Sequence, residues 1–105
     1  MTAKSRREQI QQMLAEAPDD AFLRYGLAME FVSEGNDDEA VRQFRQLLAA
    51  TPDYVPGYHQ AGQALLRLGQ TPDAREILQK GIGMALTQGN PHAAEEMQEL
   101  LNSLQ

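Results

Sequence analysis

An all-α fold, a short α-α superhelical solenoid of about six antiparallel helices, is predicted by three features of this chain. Pro18 and Pro52 stand 34 residues apart, and so do Gly35 and Gly69, and Ala40 and Ala74. A period of that length is the mark of stacked helix–turn–helix units. Within each period two apolar stripes at helical spacing flank a glycine-centred turn. The correspondence between residues 19–52 and 53–86 also runs through the apolar positions: Leu27 pairs with Ala61, Ala28 with Gly62, Phe31 with Leu65, Phe44 with Leu78 and Leu48 with Ile82.

The first helix is expected over about residues 4–16. Ile10, Met13, Leu14 and Pro18 fall 34 residues before Phe44, Leu47, Leu48 and Pro52, so this segment matches the second half of a unit. Arg6 takes the place of Ala40 and Ala74. A small residue there lets a preceding helix come close; with none expected ahead of it, the large side chain is tolerable. Helices over about 20–34 and 37–50 form the first full unit, with Leu23, Leu27 and Phe31 on one stripe and Val41, Phe44 and Leu48 on the other. Gly35 sits where a helix end needs a residue that tolerates positive φ, and Asn36 with Glu39 has capping-box spacing.

The second unit repeats the plan over about 55–68 and 72–87, on Tyr58, Ala61 and Leu65 and then Ile77, Leu78 and Ile82. Gly69 repeats the turn, and Thr71 before Pro72 reads as N-cap and first helical residue. Gly81 and Gly83 would each cost about 1 kcal/mol relative to alanine in an exposed helix interior, and close packing of a neighbouring helix is a reason to bear it. Leu86 stands where a proline would end the unit, so this helix should run on to about Gln88. Asn90 and Pro91 open a last helix over 91–104, with Ala93, Met97, Leu100, Leu101 and Leu104 on one face and Glu95, Glu96, Gln98 and Glu99 largely on the other. It does not hold the repeat register and reads as a solubilising cap. The expected organisation is a single domain, 1–105: a half repeat (4–18), two full repeats (19–52 and 53–86) and a capping helix (90–105).

Composition narrows the chemistry. At 105 residues and 42% hydrophobic the chain suits one compact domain. It has no cysteine, hence no disulfide framework, thiolate metal site or thiol nucleophile. No apolar run approaches the roughly 20 residues of a membrane span, and the start does not lead into a secretory signal core, so a cytoplasmic location and no membrane partner are expected. The net charge is −6. Lys4, Arg6 and Arg7 make the start basic, seven acids and one base lie between Asp19 and Glu39, and no Lys or Arg follows Lys80. Nucleic-acid binding rests on clustered bases and is not expected.

The pattern resembles the tetratricopeptide repeat from residue 6 to about 86. The matching positions are Leu27-Ala28, Phe31, Gly35, Ala40, Phe44, Leu47 and Pro52, and then Tyr58, Ala61-Gly62, Leu65, Gly69, Ala74, Leu78 and Gly81. Arg24 departs from it, standing where the family often has a large aromatic. The whole resembles the small single-domain repeat proteins of bacteria. The resemblance implies that the first helix of each pair lines a concave groove. By position, Phe22, Tyr25, Met29 and Ser33 would face it from the first unit, and His59, Gln63, Leu66 and Arg67 from the second. Phe22 and Leu66 fit the core as well as the groove. A protein or peptide partner is therefore expected, as an extended segment or an amphipathic helix. Some members of the family grip a carboxyl-terminal carboxylate with Lys and Asn; here Tyr25, Met29 and Gln60 stand at those places, so chaperone tails are not implied.

Catalysis is not expected, nor a cofactor or metal. His59 lies near Asp53 without a motif-placed nucleophile. His92 with Glu95 and Glu96 has ligand types at helical spacing, but one histidine and two carboxylates are better read as helix-terminal charge. Gly81-Ile82-Gly83 lies inside a helix and is no phosphate cradle. Two other readings stand beside the interaction module: a self-associating subunit, a homodimer through its edge or cap helices, and a small metal-dependent enzyme.

Overall fold

Two kinds of turn, one built on glycine and one on proline, divide the chain into six helices. The computed structural model describes residues 3–104; Met1, Thr2 and Gln105, the outermost residues of the predicted domain, lie outside them. The helices are α1 (Arg6–Glu16), α2 (Ala21–Ser33), α3 (Asp37–Ala50), α4 (Val55–Arg67), α5 (Thr71–Thr87) and α6 (Pro91–Asn102). Every end falls within two residues of its predicted place.

The glycine turn follows α2, α4 and α5, with Gly35 and Gly69 at φ 77° and 76° and Gly89 alike. In each case the residue after the glycine donates its N–H five residues back, as Asn36 does to Phe31 at 2.9 Å and Gln70 to Leu65 at 2.9 Å, while the glycine itself donates three residues back, to Val32, Leu66 or Leu86. This pair of bonds satisfies carbonyls that a helix end otherwise leaves orphaned. The turn also makes the residue after the glycine the N-cap of the next helix. Asn36 and Asn90 fill that role well, their side chains accepting from the N–H groups of Glu39 and Ala93 at 3.2 Å each.

The same geometry corrects the expectation for Thr71. The N-cap is Gln70, without a side-chain cap bond, and Thr71 is already the first helical residue. Glu39 does not close a capping box either, because its carboxylate accepts from Arg42 and Gln43. A complete box occurs instead at Ser5 and Glu8, ahead of α1.

Each helix packs on the next in the chain, and α4 also meets α6. The even-numbered helices therefore form one layer and the odd-numbered ones the other, in a stack 50 Å long and 28 by 20 Å across. Between the layers lies a continuous core, in which Phe44, Leu47, Leu65, Leu78 and Met97 are fully buried. Each such side chain contributes roughly 1.5–3 kcal/mol relative to an exposed position.

Small residues set the helix spacing. Ala28, Ala40 and Ala74 have no exposed surface. A Cβ on Gly62 would lie 2.5 Å from Leu78 Cδ2, and one on Gly81 would lie 2.5 Å from Tyr58 Cβ and 2.6 Å from Met97 Sδ. Gly83 differs: nothing lies within 4 Å of its missing Cβ, so the close packing expected there does not occur.

Leu86 is exposed at the end of the longest helix, and α5 ends in a glycine turn where the first unit has a proline turn. As a result α6 starts two residues late. Ala94, Met97 and Leu101 face the core as Tyr58, Ala61 and Leu65 do on α4, at a spacing of 36 residues and not 34. So α6 packs as another even-numbered helix, in shifted register.

The two glycines of α5 predict opposite effects. Gly81→Ala forces Tyr58 or Met97 to move and should destabilise by about 1–3 kcal/mol. Gly83→Ala meets open space and should stabilise by up to about 1 kcal/mol. Urea unfolding of the two variants checks the pair, and a stabilised Gly81→Ala would contradict the packing described.

Candidate functional site

The outward face of the even-numbered layer collects the residues singled out for the groove. On α2, Leu27, Ala28 and Phe31 are buried, and the helix turns Phe22, Tyr25, Met29 and Ser33 the other way. Phe22 is 70% exposed, the largest apolar group on this surface to stand so free. Tyr25 and Met29 are half-buried and rest on the core. The Ser33 hydroxyl donates to the Glu30 carbonyl at 2.9 Å.

On α4, Tyr58, Ala61 and Leu65 point inward, leaving His59 and Gln63 half-buried on the outer side. The Gln63 amide donates to His59 Nε2 at 3.1 Å, so the two form one polar unit one helical turn apart. Leu66 is half-buried against the core. Arg67 is exposed, but its guanidinium is already engaged: Nε and Nη2 donate to the two carboxylate oxygens of Asp37 at 3.0 and 2.9 Å. This forked pair ties the end of α4 to the start of α3 and neutralises the one cation expected on that wall.

Tyr54 completes the aromatic wall, and sequence reading missed it. It is the N-cap of α4 and makes no side-chain cap bond. Asp20, its counterpart 34 residues earlier, caps α2 by accepting from Leu23 N–H at 3.0 Å. Freed from that task, the Tyr54 ring lies 5.4 Å from Tyr25, centroid to centroid, and Tyr25 lies 6.1 Å from Phe44. Such offset, tilted pairs add to the area they bury. The period was the available signal, since an aromatic ring stands where the first unit has a capping acid.

All three tyrosine hydroxyls are held above their ordinary value of 10.0. Burial is the leading cause for each, reinforced at Tyr25 by Tyr54, at Tyr54 by Asp20 and at Tyr58 by Asp53. Tyr58 in addition donates to the Pro52 carbonyl at 2.6 Å. Arg24, placed where an aromatic was expected, fastens α2 to α3 by donating to Gln43 and Gln46 at 3.0 and 2.9 Å.

The opposite layer carries a depression of about 320 Å³ between α3 and α5, lined by Arg45, Leu48, Tyr58, Ile77 and Lys80 among others. Sequence reading missed it because Leu48 and Ile77 belong to apolar stripes and were assigned to the core. Among the described residues no three His, Asp or Glu side chains converge as metal ligands. His92 meets Glu96 alone, at 3.3 Å.

Comparison with known proteins agrees with this architecture. Residues 31–101 match the tetratricopeptide repeat family. The chain belongs to that family. A tetratricopeptide repeat-containing protein of Pseudomonas aeruginosa is 30% identical over 97 residues, covering 92% of each chain. The solution structure of a tetratricopeptide repeat domain protein from Salinibacter ruber superposes with a TM-score of 0.75 at 35% identity, over 79% of this chain and 84% of that one. The solution structure of a Bordetella parapertussis protein reaches 0.85 at 25% identity, over 97% of this chain and 89% of that one. Tetratricopeptide repeats are protein–protein interaction folds and are generally non-catalytic. No helix among the described residues is long and apolar enough to cross a membrane.

The tyrosines give the site a pH signature. Their raised folded-state values mean that the native state holds protons the unfolded chain has released, so stability is fully present below pH 10.0 and falls as pH rises beyond it. Spectrophotometric titration should find all three ionising above 10.0 with a parallel loss of thermal stability. Tyr54→Phe should bring the Tyr25 transition down without restoring it fully, because burial remains.

Proposed function

We propose that the outer face of α2 and α4 is a groove that binds a peptide or a partner helix without catalysis. The observation that carries this reading is Phe22, exposed beside the half-buried Tyr25 and Met29 and one helix away from His59 and Gln63. An aromatic left in water at the mouth of a partly apolar face gains most by being covered, and the side chains beneath it suit an anchor residue. Methionine adapts its shape to varied apolar groups. Tyr25 and Tyr54 supply rigid apolar area with hydroxyls that can still bond. The paired His59 and Gln63 offer amide and imidazole groups to a peptide backbone. Family membership favours the same role, because these repeats hold protein partners and the first helices of their pairs line the concave side.

The depression between α3 and α5 is a separate feature, and only Tyr58, on its floor, comes from the even-numbered layer. Photo-crosslinking residues at Met29 and Gln63 should trap the partner, whereas the same residues at Arg45 and Lys80 should not. Phe22→Ala should leave stability within about 0.5 kcal/mol, as for an exposed position, and weaken partner binding about tenfold or more, as a hot-spot side chain does. Crosslinks confined to Arg45 and Lys80 would refute the groove.

A further inference from the structure

The charges of this molecule are settled unevenly. Along α1 to α5 five acids pair with Lys or Arg in neighbouring turns or helices: Glu30 with Arg6, Glu34 with Arg7, Asp37 with Arg67, Glu39 with Arg42 and Glu76 with Lys80. On α6, among the described residues, no acid does. Half of the net charge of −6 falls after Lys80, carried by Glu95, Glu96 and Glu99 with no Lys or Arg among them. All three are exposed; His92 lies 3.3 Å from Glu96, and Arg75 of α5 donates to the Leu104 carbonyl at 3.0 Å, not to a glutamate.

Their position follows from the shifted register of α6. With Ala94, Met97 and Leu101 in the places of Tyr58, Ala61 and Leu65, Glu95 falls in the place of His59, Glu96 in that of Gln60 and Glu99 in that of Gln63. The contact of α4 with α6 makes the two faces neighbours. The outer face of the even-numbered layer therefore changes character along the stack, from Phe22, Tyr25 and Met29 through His59 and Gln63 to three carboxylates. A helix dipole favours acids within the first turn of a helix, and the first turn of α6 holds none. Nor does the dipole account for Glu99, which stands in the last turn of α6, where the dipole opposes it.

We propose that the occupant of this face is a protein segment with an apolar anchor that seats against Phe22, Tyr25 and Met29 and with lysine or arginine side chains that reach Glu95, Glu96 and Glu99. The proposal rests on the groove reading above. Two interhelical steps of about 8–10 Å each separate the anchor site from the acids. An extended segment covers that distance in about six residues. Exposed carboxylates attract such a segment over a range set by ionic strength, so binding weakens as salt is added. An acidic segment or an anionic surface is repelled by the same face.

Selection of random dodecapeptides displayed on phage against the full chain tests this directly. Enriched sequences should carry an apolar residue separated by several positions from two or more Lys or Arg. Synthetic peptides made from them should bind about tenfold more weakly to Glu95→Gln/Glu99→Gln, and about tenfold more weakly to Phe22→Ala. A Glu95→Lys/Glu99→Lys chain should select acidic sequences instead. These are exposed positions, and circular dichroism verifies that the variants keep their helices. Enriched peptides that lack bases yet depend on Phe22 would overturn this inference and leave the groove standing. Peptides indifferent to Phe22 and to the glutamates alike, or the absence of any enrichment, would overturn both.

Discussion

Where α4, α5 and α6 meet, two side chains are reduced to hydrogen, and the arrangement of the rest follows from that closeness. Leu78 of α5 occupies the space a Cβ on Gly62 would need, while Tyr58 of α4 and Met97 of α6 close on Gly81 from two sides. Glycine inside a helix costs about 1 kcal/mol relative to alanine, yet these contacts let Leu78 and Met97 be fully buried. They also fix the helical phase of α4 and α6 together. Once Tyr58 and Met97 both look at Gly81, the opposite sides of their helices must look outward in company. The continuity of the outer face is a consequence of how the core closes.

Much of this was legible in the sequence, and what was missed has physical causes. The period located six helices because apolar spacing and glycine turns are local signals that tertiary contacts reinforce. Gly81 was readable as a close approach, whereas Gly83, two residues on and chemically identical, faces open space on the same helix; only the direction of the neighbour separates them. Thr71 looked like an N-cap because threonine before proline is a strong local signal. The glycine turn overrides it by placing the cap at Gln70. Tyr54 escaped notice because it lies between helices, where stripe counting does not reach.

The candidate face was legible as a set of positions but not as a set of charges. Arg67 read as a free cation on the groove wall, and across 30 residues of chain it is bound to Asp37. The acids of α6 read as the polar side of a cap, because the two-residue shift hid their alignment with His59, Gln60 and Gln63. Both changes act in the same sense. The α4 wall loses its free base and the stack gains an acidic end, so the face runs from apolar residues on α2 to negative ones on α6.

The most direct test of the account is a map of backbone amide shifts in the labelled chain as a bound partner segment is titrated in. The largest changes should run along one surface, through Phe22, Tyr25 and Met29 on α2, His59 and Gln63 on α4 and Glu95 and Glu99 on α6. Changes centred on Arg45, Leu48, Ile77 and Lys80, with the even-numbered helices undisturbed, would contradict it.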